Sequence, residues 1–133
     1  MVTAVKEITI AHSPDSDDAF MFYGLASENV NTYGVKVNQV LKDIQSLNTD
    51  ALTGVYEVSA ISFAAYPDIE NRYALMPCGA SMGDNYGPMV VTRKPLSIKD
   101  LSNVQIAIPG KKTTAYLALR LIEPNLNVVE MPF

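Results

Sequence analysis

Val5-Lys6-Glu7-Ile8-Thr9-Ile10-Ala11 runs into His12-Ser13-Pro14-Asp15-Ser16-Asp17-Asp18 and then into Ala19-Phe20-Met21-Phe22-Tyr23-Gly24-Leu25-Ala26. The first stretch reads as a strand, the second as a turn and helix start, the third as a helix. Asp15 or Ser16 is placed to cap that helix, and Asp17 and Asp18 complement its dipole in the first turn. Its residues are apolar on nearly every side, as in a helix buried beside a sheet.

The pattern repeats outward from this unit. Tyr33-Gly34-Val35-Lys36-Val37-Asn38-Gln39-Val40-Leu41 alternates with the period of a strand. Residues 43–52 place Ile44, Leu47 and Ala51 on one helical face, with Gly54 as the stop. Residues 57–63 read as a short strand turning helical before Pro67, and residues 73–77 as a short extended piece. From Cys78 to Pro88 the chain is a glycine-bearing loop that enters an expected strand at Met89-Val90-Val91-Thr92 and so suits a crossing between lobes. Strand 104–108, helix 113–122 and a strand from Asn127 follow. Alternation of this kind predicts an α/β fold with largely parallel sheets.

Composition narrows the function. With 133 residues, 48% hydrophobic and 18% charged, the chain is neither disordered nor membrane-embedded. That length supports one real core and not two full domains. Lys and Arg number 10 against 14 Asp and Glu, and only Arg93-Lys94 and Lys111-Lys112 pair their charges, which excludes a general nucleic-acid surface. The single cysteine, Cys78, has no disulfide or zinc partner and is expected as a small buried hydrophobe. Lys6 and Glu7 interrupt the first apolar stretch, leaving no signal-peptide core, and no apolar run reaches the roughly 18 residues of a membrane span. The expected location is the cytoplasm, with no membrane partner.

Two helix starts carry candidate chemistry. Asp15, Asp17 and Asp18 admit a metal site or an acid/base pair, but they are also the residue types that satisfy free N–H groups at a helix N-terminus, and the capping reading is preferred. His12 has no Cys, Ser or second His at a recognisable spacing and reads as a hydrogen-bonded structural residue. Gly110-Lys111-Lys112-Thr113-Thr114-Ala115 instead joins a glycine, two cations, two hydroxyls and free backbone N–H groups, which suits a carboxylate or phosphate; the structural alternative is a threonine N-cap with solvated lysines. It is not a P-loop, since Gln105 and Lys112 stand where that motif needs glycine and a hydroxyl residue. Ser62, at a strand end, is a second ligand-facing position, and the two can meet across a cleft at the carboxyl ends of strands.

Five stretches carry a family resemblance: residues 12–23, Leu41-Lys42-Asp43-Ile44-Gln45-Ser46-Leu47-Asn48, Ser62-Phe63-Ala64-Ala65-Tyr66, residues 83–88, and Pro109-Gly110-Lys111-Lys112-Thr113-Thr114-Ala115-Tyr116. Collinear over nearly the whole chain, they resemble the 1,4-dihydroxy-6-naphthoate synthases of menaquinone biosynthesis by the futalosine route. The resemblance implies a two-lobed fold like the type 2 periplasmic binding proteins. It also implies a lyase that converts cyclic dehypoxanthine futalosine to 1,4-dihydroxy-6-naphthoate by proton abstraction and elimination, without a metal or organic cofactor. The implied substrate contacts are Asn48, Ala60, Ile61, Ser62, Thr114 and Ala115. Other members carry a lysine where this chain has Ala60, so a backbone role alone transfers there.

The family's histidine base is expected beyond Phe133, so no catalytic residue is assigned and His12 is not taken as the base. Residues 1–88 are expected to form an incomplete first lobe and 89–133 the start of a second, with unpaired sheet edges that make this stretch marginally stable or aggregation-prone. The alternative readings are a solute-binding protein for a small carboxylated metabolite and a chorismate dehydratase on the same fold.

Overall fold

The computed structural model describes residues 6–132. Strand β1 (Lys6–His12), helix α1 (Ser16–Ala26), strand β2 (Val35–Leu41), helix α2 (Ile44–Ala51) and the two-residue strand β3 (Val58–Ser59) form the first part of the chain. Their sheet has the order β2-β1-β3 and is parallel throughout. Lys6 pairs with Val35 and His12 with Leu41, so β1 and β2 are in contact over their full length. After residue 88 come strand β4 (Gln105–Ile108), helix α3 (Thr114–Ile122) and strand β5 (Asn127–Glu130), whose two strands are again parallel. Both β1-α1-β2 and β4-α3-β5 are thus crossover units, as the alternation of elements predicts. Val5, expected to begin the first strand, lies outside the described residues.

The expected strand over 57–63 shrinks to two residues because side chains intercept its ladder at both ends. The Glu57 carboxylate accepts the Thr9 N–H at 2.8 Å, a bond that also holds this carboxyl below the usual carboxylate range. Ala60 still donates to the Ala11 carbonyl at 2.8 Å, but the Ser62 N–H turns to the Asn48 side chain and leaves the sheet. The chain then winds into a 3-10 turn over Phe63–Asp68, the helical turn expected before Pro67.

Other expectations fail in the middle of the chain. Residues 74–100 are exposed along their whole length, and neither 73–77 nor 89–92 forms a strand. A strand exists only where a neighbour completes its ladder, and apolar character alone does not supply one. Met89, Val90 and Val91 instead lie along β4 and α3 at one wall of a groove of about 400 Å³. Cys78 falls in the same run and is exposed, not buried, because nothing among the described residues covers it. Helix α1 also departs from expectation. Its one buried residue is the polar Asp18, while Phe20 is 85% and Tyr23 65% exposed.

The core has two parts. Ile10, Ala11, Leu47, Ala51, Ala65 and Ile69 are buried around the first sheet and α2. Leu101, Ile108 and Leu119 form a second cluster, with Tyr116 and Val128 packed against it.

Candidate functional site

Helix α2 begins at Asp43, whose carboxylate accepts from the Ser46 N–H at 2.9 Å and from the Ser46 hydroxyl at 2.6 Å. The Ser46 hydroxyl, and after it the Ser46 N–H, holds this carboxyl below the usual carboxylate range. One turn further on, α2 turns Leu47, Asn48 and Ala51 inward. Asn48 is fully buried, and its amide is satisfied by three bonds: Oδ1 accepts the Ser62 N–H at 2.8 Å, while Nδ2 donates to Ser62 Oγ at 3.0 Å and to the Lys112 carbonyl at 3.3 Å. A backbone N–H can only donate, so the bond from Ser62 fixes which way the Asn48 amide faces.

The start of α3 meets this point from the other sheet. Thr113 is its N-cap, accepting from the Tyr116 N–H at 3.3 Å and donating to the Gly110 carbonyl at 2.7 Å. Thr113 is thus the threonine that caps α3, and it is buried in that role. Thr114 Oγ1 accepts the Ala64 N–H at 3.3 Å. Thr114 and Ala115 occupy the first helical positions, whose N–H groups have no acceptor within the helix. Asn48, Ser62 and Thr114 therefore converge although they are far apart in sequence. Ala60 stands at the edge of this cluster, with its N–H donated to Ala11 and its carbonyl accepting the Ser59 hydroxyl at 3.0 Å. Ile61 is half-buried between Ala60 and Ser62, and Ala115 also lines the apolar groove over β4.

Sequence reasoning passed over Gln45 and Asp68. The Gln45 Oε1 accepts the Lys112 N–H at 3.1 Å, and the Lys112 ammonium reaches Asp68 at 2.7 Å. Gln45 and Asn48 are three residues apart on α2, the spacing that places two side chains on one face. That spacing was the available signal.

The acidic turn is held together by its own side chains. The Asp18 carboxylate accepts the buried Ser13 N–H at 2.8 Å, and Ser13 Oγ accepts the Asp15 N–H at 3.1 Å. Asp15 holds the N-cap position but makes no side-chain cap bond, and the Asp18 bond goes to Ser13, ahead of the helix, so the capping expected of Asp15 is not seen. A bond from the Ser81 hydroxyl holds Asp17 below the usual carboxylate range. Among the described residues no cluster of three His, Cys, Asp or Glu side chains is arranged to hold a metal ion. His12 is buried, with Nδ1 donating to the Ser13 carbonyl at 2.8 Å and Nε2 3.3 Å from the Gln39 amide oxygen. Its ring stacks on Phe22 at 4.2 Å.

The fold and this convergence define an open α/β protein that gathers polar groups at the carboxyl ends of parallel strands, where such folds bind their ligands. The chain belongs to the menaquinone biosynthesis family, whose model matches residues 8–132. It is 34% identical over 129 residues to a 1,4-dihydroxy-6-naphthoate synthase of Thermus thermophilus, a match covering 97% of this chain and 46% of the relative. A 1,4-dihydroxy-6-naphthoate synthase of Streptomyces coelicolor is 33% identical over 132 residues, covering 95% of this chain and 46% of the relative. Both agree with the resemblance carried by the five stretches. The crystal structure of protein AF1704 from Archaeoglobus fulgidus superposes with a TM-score of 0.91 at 42% identity, covering 98% of this chain and 48% of that one. The chain thus spans about half the length of the relatives it matches. Among the described residues no helix is long and apolar enough to cross a membrane.

Proposed function

We propose that the chain supplies substrate-binding residues of a lyase that converts cyclic dehypoxanthine futalosine to 1,4-dihydroxy-6-naphthoate. In this reading residues 1–88 belong to one lobe and 89–133 begin a second, in a two-lobed arrangement like the type 2 periplasmic binding proteins. The substrate lies against Asn48, the backbone of Ala60 and Ile61, Ser62, Thr114 and Ala115. Family membership and the two relatives of that activity support it.

The observation that carries the site is the orientation of its two hydroxyls. Ser62 Oγ accepts an N–H from Asn48, and Thr114 Oγ1 accepts one from Ala64. With a lone pair so engaged, each hydroxyl is free to turn its own proton toward a ligand. Two O–H donors beside the N–H groups of Thr114 and Ala115, at the positive end of a helix dipole, form a donor-rich site for a carboxylate or another anionic oxygen. Such donors also stabilise negative charge that develops when a proton is removed from the substrate. His12 is not assigned the proton transfer, because its ring is buried and turned to Ser13 and Gln39. In this reading the proton transfer falls to the histidine base that the family resemblance implies.

Titration of the chain with 1,4-dihydroxy-6-naphthoate, followed by calorimetry, tests the reading, together with incubation with cyclic dehypoxanthine futalosine followed by chromatography. Saturable binding without turnover is expected. Turnover by this chain alone would place the base within it, and failure to bind either compound sinks the assignment. Equal affinity for unrelated small carboxylates would favour a solute-binding protein.

A further inference from the structure

Lys112 is gripped at its backbone as well as its side chain. Gln45 Oε1 takes its N–H at 3.1 Å, Asn48 Nδ2 gives a bond to its carbonyl at 3.3 Å, and Asp68 pairs with its ammonium at 2.7 Å. The two backbone bonds come from side-chain amides on successive turns of α2. A ligand that holds both the donor and the acceptor of one residue fixes that residue in place and in rotation, whereas a single bond leaves it a pivot.

Gly110, two residues earlier, is buried, has φ +149° and lies close against the Gln45 side chain; a Cβ there would overlap its amide. Only glycine admits both this backbone angle and this approach. The residues after Lys112 are the cap Thr113 and the first helical residues Thr114 and Ala115.

We propose that Gln45 is a positioning residue: with Asn48 it clamps the Lys112 backbone and so holds the first turn of α3, with the Thr114 and Ala115 N–H groups, in register with Ser62. Gln45 touches no ligand in this role. Its consequence for affinity rests on the binding site proposed above, but the clamp itself is measurable without a ligand.

The test compares the full chain with Gln45→Leu, which removes the acceptor at similar volume, and Gln45→Glu, which keeps an acceptor oxygen. Amide hydrogen exchange by NMR at Lys112, Tyr116 and Leu117, whose N–H groups are bonded to Gln45 and to Thr113, is the first readout. Exchange should quicken about tenfold or more in Gln45→Leu and stay near the parent in Gln45→Glu. Unchanged exchange in a folded Gln45→Leu overturns the proposal. The second readout is affinity for 1,4-dihydroxy-6-naphthoate, expected to fall about fivefold or more in Gln45→Leu. Faster exchange with unchanged affinity overturns the positioning role. If the parent does not bind the naphthoate, the functional reading falls and exchange at Tyr116 and Leu117 alone decides the clamp.

Should Gln45→Leu not fold, Gly110→Ala carries the same question. It should disturb exchange at Lys112 less in a Gln45→Ala background, where the side chain it would strike is gone. Equal disturbance in both backgrounds overturns the clamp.

Discussion

Asn48 and Ser62 exchange hydrogen bonds in both directions, Ser62 N–H to Oδ1 at 2.8 Å and Nδ2 to Ser62 Oγ at 3.0 Å. This exchange ends the third strand and aims the Ser62 hydroxyl. It also places the only fully buried polar side chain of α2 at the junction of the two sheets.

Asn48→Ala should be among the most destabilising substitutions in the chain. It leaves the Ser62 N–H and the Lys112 carbonyl without partners, and a buried unsatisfied group costs about 1–3 kcal/mol. A loss of roughly 2–4 kcal/mol is expected by urea denaturation. A change under about 0.5 kcal/mol would show that water replaces the amide freely.

Lys112→Met provides the contrast. Its ammonium and the Asp68 carboxylate are 32% and 53% exposed. Solvent screens such a pair, so its loss should cost no more than about 1 kcal/mol and less still at high salt. If Lys112→Met proved as damaging as Asn48→Ala, the ion pair and not the backbone clamp would hold α3.

Thr114→Val removes the acceptor for the Ala64 N–H and one proposed ligand donor while keeping the side chain's shape. Affinity for 1,4-dihydroxy-6-naphthoate should fall by about 1 kcal/mol or more, roughly fivefold or more in Kd. Unchanged affinity in calorimetric titration would remove Thr114 from the site.

Asp43 should make stability fall on the acid side. Its carboxyl is held low in the folded chain by Ser46, so its contribution is complete above the unfolded carboxylate pKa, about 3.9. The contribution is lost as pH drops through the lower folded value. Asp43→Ala should therefore cost about 1 kcal/mol at neutral pH and progressively less in acid. Urea melts of both proteins at neutral and acid pH give the difference directly; a constant difference would exclude the charged cap.

Phe20→Glu tests the exposed apolar surface. With Phe20 85% exposed on α1, the substitution should leave stability within about 0.5 kcal/mol and reduce self-association measured by light scattering. Marked destabilisation would mean that Phe20 is packed in solution.

Much of this fold was legible in the sequence because hydrophobic period and capping chemistry are local. The strands at 6–12 and 35–41, the helix at 44–51 and the crossover from 105 to 130 all appear where alternation, a threonine cap and a glycine stop put them. Met89-Val90-Val91-Thr92 was misread for the complementary reason. Its composition suits a strand, but ladder partners are tertiary facts. Helix α1 shows the same limit, since apolar residues on every side predict burial only where something packs on every side.

By itself, the sequence determined the parallel α/β class, the family, the Thr113 cap and the absence of a disulfide or P-loop. These follow from covalent spacing and side-chain chemistry along one stretch of chain. Only the tertiary structure decided that Asn48 bonds Ser62 and Lys112 together, that Gln45 takes the Lys112 N–H, and that Glu57 diverts the Thr9 N–H from the third strand. Each joins groups from separate elements. Which donor meets which acceptor depends on how those elements pack, and a hydrogen bond is made or lost over a fraction of an ångström.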